Sequence, residues 1–158
     1  MNLKDLLVVK ISALYDTENE LIKALPKMAE AATSPDLKEA FEEHLMETNI
    51  HAERLEEVFS LLEVEPEKLK RDAIRGIVAD GKWVIKNTAP EAALDVNLIR
   101  SAQYAEQHEI AGYRAAISWA ETLDLPAVAS LLQETLDEEM AANDTLDKIG
   151  EVLDQTIV

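Results

Sequence analysis

The sequence predicts an all-α fold: one domain over residues 1–158, built as an antiparallel four-helix bundle with one long crossover that holds a short fifth helix. Three observations predict it. Glycine and proline number only 4 and 5, while Ala, Leu and Glu abound, a mixture that favours helix over sheet. Apolar residues step by three or four through four long stretches, as one buried face of a helix requires. Three of the five prolines, Pro35, Pro90 and Pro126, stand where helices should begin, whereas Pro26 falls inside one.

The first helix (about 3–31) puts Leu7, Ile11, Leu14, Leu21, Leu25 and Met28 on one face. Inside this helix Pro26 should remove a hydrogen bond and bend the axis. Ser34-Pro35 opens the second helix (about 36–63), whose inward residues are Leu37, Phe41, Leu45, Leu55, Phe59 and Leu62. The crossover runs from Val64 to Pro90, and Ile74, Ile77, Val78, Val84 and Ile85 predict a shorter helix at about 70–87 within it. Pro90 can open the third bundle helix (about 91–122), with Leu98, Ala102, Ala105, Tyr113, Ala116 and Ala120 inward. Pro126 opens the fourth (about 126–155), with Val128, Leu132, Leu146, Ile149 and Leu153. Short connections make the first and second helices, and the third and fourth, antiparallel hairpins. Two hairpins joined by one long crossover form the ferritin-like topology.

Fifteen Lys and Arg against 32 Asp and Glu leave a formal charge of −17. So acidic a surface repels nucleic acid and anionic lipid, which argues against a DNA-protecting role. With no cysteine, thiol catalysis and disulfides are excluded. The apolar run between Asp5 and Lys10 has four residues, too short for a signal peptide or a membrane span, so a cytoplasmic protein without a membrane partner is expected.

The chain also aligns with itself at an offset of 91 positions. Glu18 falls on Glu109, Ala29-Glu30 on Ala120-Glu121, Pro35 on Pro126, Phe41 on Leu132 and Leu55 on Leu146. The two hairpins read as copies related by a pseudo-twofold axis, the symmetry a ferritin-type metal site obeys.

Helix wheels at about 100° per residue place several ionisable groups on the apolar faces. Glu18 lies inward on the first helix, Glu106 and Glu109 on the third, Glu139 on the fourth, and His44, Thr48 and His51 on the second. Glu47 and Glu138 fall at boundaries, whereas Glu20, Glu30, Glu43 and Glu121 should be solvated. A single inward glutamate or histidine is usually an edge residue or a hydrogen-bonded core residue. Here every bundle helix contributes, and several unpaired carboxylates would each cost several kcal/mol to bury. Divalent cations would supply the missing charge.

Five segments carry a resemblance: LYDTENELIKALPKMAEAAT (14–33), LKEAFEEHLMET (37–48), ERLEEVF (53–59), AEQHEIAGY (105–113) and LLQETLDEE (131–139). Together they make the chain similar to the YciE/YciF group of ferritin-like, stress-associated bacterial proteins over nearly its whole length. In ferritin-like two-metal proteins two helices each give a Glu and the other two each give a Glu-x-x-His. This sequence departs from that pattern. The second helix reads Thr48-x-x-His51 and the fourth Glu139-x-x-Ala142, so each half keeps one ligand of its pair. Glu106 is an additional carboxylate, with Tyr15 at the equivalent first-helix position, and His108 points towards the edge.

The resemblance implies Glu139 bridging two ions, with Glu18 and His51 on one and Glu106 and Glu109 on the other. Glu47 or His44 could replace the bridge missing at Thr48, while Tyr15 and Thr48 are expected to back the ligands. Carboxylate-rich, nitrogen-poor ligation suits up to two ions of iron or manganese. The expected function is a two-metal protein of the stress response, reacting with oxygen or peroxide as its small oxidant. The half-altered motifs keep a second expectation open, a structural or interaction bundle with a degraded or single-ion site. A homodimer is expected, joined through the crossover helix, because the bundle core leaves Trp83 without a role.

Overall fold

The computed structural model describes residues 1–68, 70–89 and 91–157. Its helices are α1 (Leu3–Ala31), α2 (Pro35–Leu62), α3 (Asp72–Asn87), α4 (Glu91–Thr122) and α5 (Pro126–Asp154), with no strand among the described residues. The four bundle helices and the crossover helix α3 thus lie within one or two residues of the expected bounds. Pro90, expected to open α4, lies outside the described residues.

Local chemistry explains the boundaries. Asn2 and Asp5 form a capping box, each side chain accepting from the other's backbone N–H at 3.0 and 2.8 Å. Ser34 caps α2 ahead of Pro35, and Pro126 opens α5 after Leu125 without a side-chain cap. Glu63 ends α2 in the left-handed region at φ 54°, its N–H turned back on the Phe59 and Ser60 carbonyls. Pro26 does not end α1, which runs on to Ala31: so near the C-terminus its missing donor removes one bond from a helix already held by packing. The end of α1 and the start of α2 recur 91 positions later, at Thr122 and Pro126.

The α1–α2 and α4–α5 hairpins pack with α1 beside α4 and α2 beside α5, while α3 lies across α1 and α4. Arg75 anchors α3 through two contacts to Asp16 of α1, at 2.9 and 3.1 Å. The α1–α2 turn is held from α4: buried Asp95 accepts from the Thr33 N–H (2.8 Å), the Thr33 hydroxyl (2.6 Å) and the Ser34 N–H (2.7 Å). Three donors lose their acceptor together if it is removed. Asp95→Ala is therefore expected to destabilise the fold by about 2–4 kcal/mol in denaturant titrations, and a loss under about 0.5 kcal/mol would show that water replaces the carboxylate.

The core is not continuous. One apolar cluster gathers Leu7, Ile11, Leu14, Leu55, Phe59, Tyr113 and Leu132, and a second gathers Leu21, Leu25, Phe41, Leu98, Ala102 and Leu146. Along each bundle helix the change from one cluster to the other falls at the inward polar residues: Glu18, His44 to His51, Glu106 to Glu109, and Glu139. A polar layer thus cuts the bundle between two apolar ends. Trp83 is 62% exposed on α3. No helix among the described residues is long and apolar enough to cross a membrane.

Candidate metal centre

The polar layer resolves into two sets of side chains that share Glu139. One comprises Glu18, His51 and Glu139; the other comprises His44, Glu106, Glu109 and Glu139. Within each set, one ligand-type atom per residue lies within 4.8 Å of every other. In the first, His51 Nδ1 is 2.8 Å from Glu139 Oε1 and 3.8 Å from Glu18 Oε1. In the second, His44 Nε2 is 2.9 Å from Glu106 Oε1 and 3.7 Å from Glu139 Oε2. Amphipathic spacing explains the placement: on each helix these residues continue the stripe that buries the neighbouring Leu and Phe side chains.

Surrounding groups hold the cluster in position. Tyr113 donates its hydroxyl proton to Glu18 from the floor of the first apolar cluster. His51 Nε2 lies 2.8 Å from Glu138 Oε2, and Glu138 is gripped by Arg54 through contacts of 2.6 and 2.8 Å. Such a carboxylate behind an imidazole fixes which ring nitrogen faces the centre. Thr48 donates to the His44 carbonyl at 2.7 Å, spending its hydroxyl on its own helix between the two histidines.

Among the described residues, five buried carboxylate oxygens of this cluster lack a hydrogen-bond partner, namely Glu18 Oε2, Glu106 Oε2, both oxygens of Glu109 and Glu139 Oε2, while His44 Nε2 and His51 Nδ1 pair with Glu106 and Glu139. The charges are correspondingly perturbed. Burial pushes Glu109 well above the usual carboxylate range, and Glu139, Glu18 and Glu106 add to it. Burial likewise raises Glu18, against its contact with His51. Glu139 is pushed up to about 7, by burial and by Glu106, while His51 pulls the other way. Burial alone would lower both imidazoles, but their carboxylate neighbours win: His51 rises to about 10 and His44 well above its ordinary value. Four carboxylates and two imidazoles, buried and close together, form groups that could hold a metal ion.

Comparison with known proteins agrees with this architecture. A protein family described only as a domain of unknown function, DUF892, matches residues 2–157. This chain belongs to the DUF892 family. Protein YciF of Escherichia coli (strain K12) is 35% identical over 147 residues, covering 90% of this chain and 89% of that protein. The crystal structure of the E. coli stress protein YciF superposes with a TM-score of 0.95 at 31% identity, over 98% of both chains. YcfI of Rhodopseudomonas palustris, for which a structural role has been suggested, superposes at 0.90 with 36% identity, over 93% of this chain and 94% of that one. The resemblance to YciF and the ferritin-like helical bundle are thereby established.

Within this DUF892 bundle Glu18, His51, Glu106, Glu109 and Glu139 come together, and His44 joins them as a full member of the second set. His44, expected only as a possible addition, thus lies within the cluster. The helix wheel showed His44 inward but could not say that α2 brings it against Glu106 of α4, diagonally across the bundle. Glu47 stays outside both sets, its side chain 42% exposed and 3.5 Å from the far nitrogen of His44. Tyr15 does not back the ligands: its hydroxyl donates to Glu56 at 2.7 Å and its ring packs edge-on against Phe59. Tyr113 takes the place expected of it. Its signal was available, since Tyr113 lies one turn beyond Glu109 on the same inward face. Glu138 looked like an edge residue, and only the pairing of α2 with α5 reveals its hold on His51. Glu30, Glu43 and Glu121 are exposed as expected, while Glu20 is partly covered by Arg75.

Proposed function

We propose that this chain is a ferritin-like, carboxylate-bridged two-metal protein that takes up iron or manganese and reacts with oxygen or peroxide in a cytoplasmic stress response. The observation that carries the reading is the buried set of four carboxylates, with five unpartnered oxygens, and two imidazoles, arranged in two groups around one shared carboxylate. The altered motifs are compensated: Glu106 supplies the carboxylate absent at Thr48, and His44 the imidazole absent at Ala142. The total, four Glu and two His, equals the donor set of the di-iron carboxylate proteins. Bound iron or manganese would supply redox chemistry towards oxygen or peroxide. The protein's part is to hold the ions between charged donors, keep bulk water out with two apolar ends, and orient His51 through Glu138 and Arg54.

A second reading, a structural bundle with one stabilising ion or none, draws support from the role suggested for YcfI. Aerobic titration of metal-free protein with Fe(II) separates the two. Two equivalents bound, with oxygen or peroxide consumed as Fe(II) is oxidised, is the expected result. Binding without oxidation leaves the structural reading standing, and no binding removes the metal from both.

A further inference from the structure

Two pockets reach the centre from opposite faces of the bundle, and both end on His44 and Glu106. One, of about 40 Å³, lies beneath α3 between α1 and α4, with Leu25, Ile77 and Ala102 among its walls. The other, of about 90 Å³, opens between α2 and α5. We propose that the α2–α5 pocket is the port through which partly hydrated divalent cations reach the centre. This rests on the metal reading above and adds the route.

The lining of the port carries the argument. Carboxylates mark successive depths: Glu43 is exposed on the surface, and half-exposed Glu47 stands 3.5 Å from His44 Nδ1. At the bottom, His44 and Glu106 are more than nine-tenths buried, with His44 Nε2 2.9 Å from Glu106 Oε1 and Glu106 Oε2 unpartnered. A cation moving inward would exchange water for Glu47, then for His44 and Glu106. No lysine or arginine lines this pocket, whereas Lys27 and Lys82 line the pocket beneath α3 and would repel a cation there. The volume admits several water molecules, so an ion need not shed its whole hydration shell at the surface. Ala142 is the reason the port is open. It lines the pocket at the position where the two-metal motif carries histidine, and its methyl group leaves the space that a larger side chain would fill.

Stopped-flow uptake of Co(II) by the metal-free protein, followed by visible absorption, tests the route. Ala142→Leu fills the port and removes no ligand. It is expected to slow uptake at least tenfold while the final stoichiometry and the Co(II)-induced rise in Tm stay unchanged. Gly81→Leu narrows the pocket beneath α3, at a position where an added Cβ meets nothing within 4 Å, and should leave the rate as it is. The double variant Glu43→Gln/Glu47→Gln removes the charge of the port and should slow uptake severalfold, with a weaker dependence on salt. It serves as the test should Ala142→Leu fail to fold by circular dichroism. Wild-type rates in the port variants, or equal slowing by Gly81→Leu, would overturn the port while the metal reading stands. A wild-type protein that binds no Co(II), Mn(II) or Fe(II) removes both.

Discussion

Glu139→Gln is expected to make the metal-free protein more stable at pH 7 and to weaken metal binding by two orders of magnitude or more. In the folded chain burial pushes the Glu139 carboxyl up to about 7, from an ordinary value of 4.5. Between those values the folded state keeps a proton that the unfolded state gives up. Stability therefore falls as pH rises, by about 1.4 kcal/mol per pH unit for one proton, or about 3 kcal/mol across the window. Glutamine has no proton to lose, so its contribution is flat. The raised imidazoles act in the same direction at higher pH: their stabilisation is full below about 6.5 and is lost as pH climbs, through about 10 for His51. Glutamine keeps an acceptor oxygen beside His51, with Glu18 still 3.8 Å from the ring as counter-charge. The variant's advantage in denaturant titrations should thus grow from little near pH 5 to roughly 2–3 kcal/mol at pH 7. Added Mn(II) reverses the order, because it displaces protons from the wild-type cluster and binds only the folded state. Equal pH slopes for the two proteins would mean that Glu139 is ionised throughout and carries no such strain.

Removing the two histidines one at a time should divide the centre. His44 belongs only to the set with Glu106 and Glu109, and His51 only to the set with Glu18. His44→Ala is expected to reduce bound Mn(II) from two equivalents to one, measured by elemental analysis after equilibrium dialysis, and His51→Ala to do the same from the other side. Each ion retained should still raise Tm, by less than the pair does. The metal-free variants should also be less stable than wild type near neutral pH, since each deletion strips a positive charge from buried carboxylates and forces them to take up protons. Two equivalents remaining in His44→Ala would return that residue to a supporting role. Complete loss of metal in either variant would mean a single site that spans both sets.

Much of this is legible in the chain itself. Helix wheels find Glu18, Glu106, Glu109 and Glu139 because burial on a helix has a fixed period, and a carboxylate on that stripe between two leucines has nowhere else to point. The 91-residue offset found the second hairpin for the same reason: equal helix lengths and prolines at equal offsets are properties of the chain itself. What a wheel lacks is the partner. It places His44 and Glu138 correctly on their helices, inward and at the edge, yet assigns them no neighbour. Tyr15 shows the opposite error, for a position next to Glu18 on the wheel turned its long side chain away to Glu56.

The sequence by itself determined the five helices, their order and the carboxylates and imidazoles on their inward faces, since these follow from local periodicity and from the cost of exposing apolar faces. Only the tertiary structure decided how those groups divide: Glu139 shared, His44 against Glu106, His51 braced by Glu138 and Arg54, Tyr113 beneath Glu18. Those pairings depend on the rotation and depth at which four helices meet. That choice is made by side-chain packing across the bundle, which no periodicity along one chain encodes.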